Sequence, residues 1–208
     1  MVLTDGELDH VIGLLSLREG RELHLVCTDA VRELLTKPFP LLPVLRTYCR
    51  VHLSDFPVHM AGLRVSAINL SSEGPIYASR SKRRGRVVGL SIESSTRRIA
   101  YLPALPAITT EVEAFVKGCD CLLLDGTFWS EHEMVSLGLS KRTAADMGHV
   151  PIEGYAGSLR WLRTLRIPRK IYVHINNTNP ILRKTARARR SVEGAGVEVA
   201  YDGMEIRL

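Results

Sequence analysis

The sequence has few cysteines and no long apolar run, and these shortages narrow the class of protein. Four cysteines in 208 residues are too few for the disulfide framework of a small secreted domain. No apolar stretch approaches the roughly 18 residues that a membrane-spanning helix needs. The first residues also lack the basic and apolar segments of a secretory signal. We therefore expect a cytoplasmic protein without a membrane segment.

Long polar tracts and internal repeats are also missing, while 45% of the residues are hydrophobic. Such a composition is typical of a folded domain with a sizeable core and not of a disordered chain. The stretches that contain Gly and Pro are short enough to be ordinary connections between elements. We therefore expect residues 1–208 to form a single domain.

Aromatic residues are missing from the two basic clusters that account for much of the net charge of +6, residues 80–86 and residues 183–190. Proteins that bind single-stranded nucleic acids usually combine a charged groove with aromatic side chains on which bases stack. A basic loop without them attracts any acidic partner equally well. We interpret both clusters as solvated surface and expect no nucleic-acid partner.

Apolar stretches of strand length alternate with helical segments along the chain, a pattern typical of layered α/β structure. The predicted strands are residues 23–27, 63–70, 87–93, 98–102, 121–125, 170–175 and 197–201. The predicted helices are residues 29–35, 110–117, 157–165 and 182–195. Thr109 or Thr110 provides a cap for the second helix, and Gly118 and Gly196 provide stop signals.

The first ten residues contain four side chains that commonly bind metal ions: Asp5, Glu7, Asp9 and His10. Side chains of an extended segment alternate between its two faces. We therefore expect the three carboxylates to share one side and His10 to join them at the turn into a helix. The alternative is that Asp5 and Asp9 only cap that helix.

Two more reactive side chains lie next to predicted elements. Asp125 ends an apolar strand, and ligands of open α/β sheets usually bind at the carboxyl ends of strands. The alternative for Asp125 is a turn hydrogen bond with Thr127. His149 lies in a short loop between a Gly and a Pro, where a histidine is more often solvated than bound to a ligand.

The predicted strand at residues 170–175 carries His174 near its end. A run of short polar side chains follows: Asn176, Asn177, Thr178 and Asn179. They cannot all enter a core without hydrogen-bond partners. A histidine at the end of a buried strand with amide groups beside it is typical of a metal ligand held by supporting hydrogen bonds.

Cys119 and Cys121 are two residues apart at the start of a predicted strand. Two thiolates on one strand face could contribute to a metal site. Cysteine is also among the most frequently buried residues, and we favour core packing for both.

Five segments of the chain form a recognisable set: the acidic segment that ends in Asp9-His10, and residues 122–129, 147–152, 174–182 and 198–208. Together they resemble the pyrroloquinoline quinone (PQQ) biosynthesis protein B family, over the whole chain. The resemblance implies the metallo-β-lactamase fold, an αββα sandwich. It also implies that the first N-terminal strands of that family are absent here.

The wider superfamily binds metal through a His-x-His-x-Asp-His motif, which falls on Asp5, Glu7, Asp9 and His10. Only its last two residues are preserved. The later histidine of the superfamily falls on His174, but its bridging aspartate falls near residues 101–104, which contain no carboxylate. The resemblance therefore implies one carboxylate and two imidazoles, which is the ligand set of iron(II) oxygenases, and not a two-zinc hydrolase centre.

The family resemblance further implies an iron-dependent oxygenase that hydroxylates the tyrosine-derived part of the PQQ precursor, a peptide or diamino acid. Fe(II) is expected on Asp9, His10 and His174, with zinc as an alternative ion in the isolated protein. Glu7 and Asp5 are expected as a fourth ligand or as support for the imidazoles. The expected partners are the precursor and other PQQ biosynthesis proteins, and a homodimer is left open.

We expect the other reactive residues to act on the substrate or to support the metal ligands. Asp125 and His149 are expected to carry protons or contact the substrate, because hydroxylating a phenol needs a base within hydrogen-bond reach. Asn176, Asn177 and Asn179 are expected to fix His174 and the carboxylates of the substrate.

Two other functions remain open at this point. The first is a soluble carrier that takes part in moving PQQ or its precursor towards the periplasm. The second is a metal-dependent hydrolase of phosphodiesters or RNA, against which the lost histidines count. Iron with oxygen consumption indicates the oxygenase, zinc with esterase activity the hydrolase, and ligand binding without metal the carrier.

Overall fold

The computed structural model describes residues 1–70, 74–78 and 83–208. The chain divides into two compact units, Met1–Leu90 and Ser91–Leu208. Within the described ranges, no helix has both the length and the apolar character needed to cross a membrane.

The first unit begins with a short helix and a 3₁₀ helix, followed by strands and helices. In chain order these are α1 (Leu8–Val11), the 3₁₀ helix Ile12–Leu17, β1 (Glu22–Val26), α2 (Asp29–Leu34), α3 (Leu41–Leu45), β2 (Arg50–Ser54), β3 (Val58–Met60) and β4 (Leu63–Asn69). Strands β1 and β2 pair in parallel, and β3 pairs with β4 as an antiparallel hairpin. Helix α2 begins after Thr28, whose hydroxyl accepts a hydrogen bond from the N–H of Val31 at 3.2 Å, as an N-cap does.

The core of the first unit lies between β1 and the helices. Its buried members are Leu3, Val11, Leu14, Leu25, Cys27, Val31, Leu35, Leu41, Leu42 and Leu45. Burial of this apolar set is the main force that holds β1 against α2 and α3. The strand predicted at 23–27 and the helix predicted at 29–35 are confirmed within one residue at each end.

Strand β5 (Val88–Glu93) runs across the boundary between the units, and the other elements of the second unit alternate between strands and helices. They are β6 (Arg98–Leu102), α4 (Thr110–Val116), β7 (Cys121–Asp125), α5 (Glu133–Ser136), the 3₁₀ helix Ala145–Met147, α6 (Ser158–Thr164), β8 (Arg169–Val173), the 3₁₀ helix Pro180–Leu182, α7 (Arg187–Glu193) and β9 (Glu198–Val199). Strands β6 to β9 pair in order, and all three pairings are parallel.

The centre of this sheet is apolar: Leu122, Leu124, Ile171 and Tyr172 are completely buried. The bounds predicted for β6 and β7 are confirmed. The cap predicted for α4 is also confirmed, because Thr109 accepts a hydrogen bond from the N–H of Val112 at 3.3 Å.

Three predicted elements of the second unit depart clearly from their expected bounds, and one of them, the strand predicted at 197–201, is only Glu198–Val199. The strand predicted at 170–175 ends at Val173, because His174 adopts a positive φ of 53° that no strand accommodates. The helix predicted at 182–195 begins only at Arg187, after the 3₁₀ helix Pro180–Leu182.

The basic clusters are only partly solvated. Residues 80–82 of the first cluster lie outside the described residues, and Arg83 and Arg84 are exposed. Arg86, by contrast, is only 6% exposed, so the prediction of a wholly solvated cluster is wrong at this position.

Candidate functional site

The second unit brings together Asp125, Thr127, His149 and His174. Asp125 is the last residue of β7, and it lies opposite Val173 in the parallel β7–β8 pair. His174 directly follows Val173, so both side chains lie at the carboxyl edge of the sheet, where α/β proteins usually bind ligands. Gly126 permits this close approach, because a Cβ at its position would lie 2.9 Å from Cβ of Tyr172.

The carboxylate of Asp125 is almost completely buried, with 1% of its surface exposed. Its Oδ2 accepts hydrogen bonds from the N–H of Leu105 at 2.8 Å and from Nδ1 of His149 at 2.7 Å. Its Oδ1 accepts one from the N–H of Thr127 at 3.0 Å. The turn hydrogen bond considered for Asp125 is therefore present, together with a histidine partner that the sequence did not indicate.

The hydroxyl of Thr127 is the centre of the cluster. Its oxygen lies 2.5 Å from Oδ1 of Asp125 and 2.7 Å from Nδ1 of His174. An ionised carboxylate only accepts hydrogen bonds, so the hydroxyl donates its proton to Asp125 and accepts one from Nδ1–H of His174. This assignment places the proton of a neutral His174 on Nδ1 and its lone pair on Nε2.

His149 is oriented by the same carboxylate. Because its Nδ1 donates to Asp125, the lone pair of the neutral ring is on Nε2. The ring stacks on that of His174, with centroids 5.5 Å apart, and meets the edge of Phe128 at 5.7 Å. Only 13% of the His149 side chain is exposed, so the alternative of a solvated loop histidine is wrong.

The side chains of Asp125, His149 and His174 are close enough together to hold a metal ion. One ligand atom from each of Asp125, His149 and His174 lies within 4.8 Å of the others. The Thr127 oxygen, however, already occupies the space between them, 3.1 Å from Nδ1 of His149 and closer to the other two groups. The arrangement therefore fits a hydrogen-bonded network that orients two imidazoles better than it fits a metal at its centre.

The asparagines of residues 176–179 have different environments. Asn179 is 2% exposed, and its amide donates to the carbonyls of Gly126 and Thr127 at 2.8 and 3.3 Å. Its Oδ1 accepts a hydrogen bond from the N–H of Ile181 at 3.0 Å, so this side chain clamps the loop that carries Thr127. Asn176 bonds the hydroxyl of Thr178 at 2.6 Å, and Asn177 is exposed.

Sequence reasoning missed Glu133 and the contacts of Thr127 with the two histidines. Glu133 is 7% exposed and accepts hydrogen bonds from the N–H of Trp129 at 2.6 Å and the hydroxyl of Thr178 at 2.5 Å. The available signal for Thr127 was its position two residues after a strand-ending carboxylate, which indicates a turn but not a contact with two histidines.

In the first unit, Asp5 is paired with His10. Oδ1 of Asp5 lies 2.7 Å from Nδ1 of His10, and Nε2 of the same ring lies 3.7 Å from Oδ2 of Asp9. Burial opposes ionisation of Asp5, but the hydrogen bond and charge of His10 keep the pKa of this carboxyl below its ordinary value. The hydrogen bond that His10 donates to Asp5 in turn raises the pKa of His10, against the effect of burial.

The expectation that Asp5, Glu7 and Asp9 share one face is wrong. Helix α1 begins at Leu8, so the segment is not extended up to Asp9, and the regular alternation of side chains is lost. Asp5 is 1% exposed, whereas 78% of the Asp9 side chain is exposed. The alternative of capping is also wrong, because Glu7 is the N-cap residue and makes no side-chain cap bond.

The structure bears on the role predicted for Asp5 but leaves the predicted metal triad untested. Asp5 contacts His10 in the manner of a group that supports a metal ligand. Asp9 and His10 belong to the first unit and His174 to the second, and the triad predicted from the sequence stays a prediction.

Cys119 and Cys121 are buried, with 2% and 0% of their surfaces exposed, and neither forms a disulfide. Burial raises the pKa of Cys121 to about 11, which disfavours the thiolate that metal binding requires. Core packing, the interpretation favoured from the sequence, is confirmed.

A cavity of about 700 Å³ borders His174 in the second unit. Its lining residues are Val173, His174, Ile175, Leu182, Lys184, Arg189, Val199, Ala200, Tyr201 and Asp202. Two cations, Lys184 and Arg189, lie at this cavity, and Arg189 is held by Glu193 at 2.7 Å. The cavity therefore combines an oriented imidazole with two cations and one carboxylate, that of Asp202.

Comparison with known proteins identifies the family. Residues 1–175 match the model of the β-lactamase superfamily domain. The chain is 40% identical to coenzyme PQQ synthesis protein B of Methylococcus capsulatus, over 100% of this chain and 73% of that protein. It is 42% identical to the protein of the same name from Cupriavidus necator, over 100% of this chain and 72% of that protein.

Solved structures agree with this assignment. The crystal structure of Zn²⁺-bound PqqB from Methylobacterium extorquens superposes with a TM-score of 0.89 at 31% identity, covering 100% of this chain and 72% of that one. A diphosphatase of the PhnP family, at 17% identity and a TM-score of 0.65, shows a shared fold. The predicted metallo-β-lactamase fold is confirmed, and the chain belongs to the coenzyme PQQ synthesis protein B family.

Proposed function

We propose that this chain is an iron(II)-dependent oxygenase of PQQ biosynthesis that hydroxylates the tyrosine-derived part of the PQQ precursor. Besides the family, one observation carries the proposal: the Thr127 hydroxyl connects Asp125 to Nδ1 of His174. This connection leaves the lone pair of His174 on Nε2, which is the form in which a neutral imidazole binds a metal ion.

His174 is the metal ligand that the geometry of the second unit supports. Asp9 and His10 are proposed as further ligands because the superfamily motif falls on them, and substitution tests both. A set of two imidazoles and one carboxylate is typical of iron(II) oxygenases. When bound, iron(II) supplies the redox chemistry that activates O₂.

His149 is the proposed proton acceptor. Its Nδ1–H is bonded to Asp125, so the lone pair on Nε2 is available to take the phenolic proton of the substrate. The buried carboxylate then stabilises the imidazolium that forms, because the two groups are 2.7 Å apart. Asp125 therefore supports both histidines, one directly and one through Thr127.

The cavity beside His174 is the proposed substrate site. A precursor built from amino acids carries carboxylates, and Lys184 and Arg189 provide cations to bind them. Asn176 and Asn177 are proposed as further contacts for these carboxylates. Asn179 is better placed to hold the loop of Thr127, through its bonds to backbone carbonyls.

The direct test supplies the iron-loaded protein with reductant, a tyrosine-containing precursor and ¹⁸O₂. We expect a product that is heavier by one ¹⁸O atom. The His149→Gln variant serves as the matched control, because it should retain iron and form the same product more slowly. Iron binding and precursor binding without incorporation of label would exclude the oxygenase.

The cavity also favours a second candidate function. Two cations beside a cavity of about 700 Å³ suit a carrier that binds a carboxylated ligand without any metal. Equal affinity for the precursor in metal-free and iron-loaded protein, with no labelled product, would indicate the carrier. Hydrolysis of a phosphodiester would instead indicate the hydrolase, for which residues 101–104 offer no carboxylate.

A further inference from the structure

We propose that Glu22, His24 and His52 form a separate binding site for a divalent transition-metal ion on the surface of the first unit. This group consists of two imidazoles and one carboxylate, the side chains that bind Zn²⁺, Cu²⁺ and Ni²⁺ in proteins. The site shares no residue with the functional site described above.

The β1–β2 pair creates the group. In this parallel pair, His24 lies directly opposite His52. Glu22 is two residues before His24 on the same strand, so the alternation of side chains places the two on one face. The two rings stack with centroids 4.6 Å apart and an angle of 12° between their planes.

Both imidazoles direct the same nitrogen at the same carboxylate oxygen. Nε2 of His24 lies 3.6 Å from Oε2 of Glu22, and Nε2 of His52 lies 3.8 Å from it. One ligand atom of each residue lies within 4.8 Å of the others. These separations are too long for ordinary hydrogen bonds. The three ligand atoms therefore leave a space between them.

The size of that space fits a metal ion. Bonds of about 2.1 Å to nitrogen and oxygen in a tetrahedral site place neighbouring ligand atoms about 3.4 Å apart. The two separations from Oε2 exceed this value by only a few tenths of an ångström. Small rotations of exposed side chains would close the difference, and water would fill the fourth position.

Arg50 is the cation beside the group. Its Nη1 lies 3.5 Å from Oε1 of Glu22, which is the oxygen that does not face the histidines. The guanidinium can therefore keep the carboxylate in place while Oε2 binds the ion. Imidazole ligands favour transition metals over Mg²⁺ and Ca²⁺, which prefer oxygen, so selectivity for the former is expected.

The test must distinguish this site from any metal bound elsewhere, so we choose a readout that resolves single histidines. Cu²⁺ is paramagnetic and broadens the NMR signals of nearby rings. Titration of the full chain with substoichiometric Cu²⁺ should broaden the ring signals of His24 and His52. The signal of His59, an exposed histidine on β3, should persist under the same conditions.

Substitution provides the affinity measurement. His24→Ala and His52→Ala should each weaken Zn²⁺ binding at this site at least tenfold, since even the loss of a group that only supports a ligand costs about 10–100-fold. His59→Ala is the matched control and should leave the affinity unchanged. Equal broadening of all three rings, or unchanged affinity in both His24→Ala and His52→Ala, would overturn the proposal.

Discussion

The hydroxyl of Thr127 lies 2.7 Å from Nδ1 of His174, so a side chain 47 residues away in sequence fixes the orientation of this imidazole. The same hydroxyl lies 2.5 Å from Oδ1 of the buried Asp125. Thr127 thereby connects the carboxylate to the ring through two hydrogen bonds. It is a positioning residue for His174.

Thr127→Val should therefore weaken iron(II) binding by about 10–100-fold, the usual cost of losing a group that orients a metal ligand. Valine has the same shape but cannot connect Asp125 to His174. Thr127→Ser retains the hydroxyl and is the matched control. Isothermal titration under anaerobic conditions measures both, and equal affinities in the two variants would show that the hydroxyl has no part in metal binding.

Asp125→Asn should retain iron while lowering turnover by about 10²–10⁴, the usual contribution of a general acid or base. The new amide can still accept the proton of Thr127, but its NH₂ group would donate to Nδ1 of His149 and move the ring proton to Nε2. His149→Gln should give a loss in the same range with iron retained. Iron content and turnover, measured on the same samples, check both; loss of iron in step with activity would assign these residues to the metal instead.

Asn179→Ala should destabilise the protein by about 1–3 kcal/mol, because it leaves buried backbone groups without partners. The carbonyl of Gly126 and the N–H of Ile181 would both lose the hydrogen bonds they now have. Asn177→Ala, at an exposed position of the same loop, is the control and should change the free energy of unfolding by less than about 0.5 kcal/mol. Urea unfolding provides the comparison, and a similar stability of the two variants would contradict the clamp.

The thiol of Cys121 should make the protein sensitive to alkali. Burial raises its pKa from 9.0 to about 11, so the folded state keeps the neutral thiol while the unfolded chain ionises. Stability is complete below pH 9 and decreases as the pH rises from 9 through 11, by about 2 kcal/mol at pH 10.5. Cys121→Ala should lose less stability than the wild type between pH 8 and pH 10.5; identical pH profiles would show that this thiol is not protected.

The sequence predicts the second unit better than the first because its elements carry local signals. Strand β7 is a continuous apolar run between a stop glycine and an aspartate, and its bounds follow from that pattern. Strand β2 (Arg50–Ser54) was not predicted, since five residues that alternate between exposed and half-buried positions give a weak signal. The alternating acidic residues of the N-terminal segment match a strand and predict an extended conformation, whereas α1 begins at Leu8.

The residues of the candidate site could be predicted from local sequence signals, but their contacts could not. Asp125, His149 and His174 could be recognised as reactive residues at the ends of elements. Their contacts with one another and with Thr127 could not, because these contacts join positions 24 and 47 residues apart in the sequence and depend on the register of β7 and β8. The positive φ of His174, which ends β8 early, likewise follows from tertiary structure and not from residue type.

The predicted metal ligands have a simple test of their own. His10→Ala should abolish stable iron binding, because two ligands cannot hold the ion against water and buffer. Asp5→Asn should only weaken it, by about 10–100-fold, since Asp5 contacts the ring of His10 at Nδ1. Cys119→Ser and Cys121→Ser should leave metal content intact, and loss of metal in these variants would mean that the buried thiols bind it.

The iron content of His174→Ala beside that of His149→Gln tests most directly whether His174 binds the metal. Both variants are reconstituted anaerobically with iron(II), and the metal is counted per chain after removal of unbound ions. We predict close to one iron per chain in the wild type and in His149→Gln, and none in His174→Ala. Full iron retention in His174→Ala would contradict this prediction.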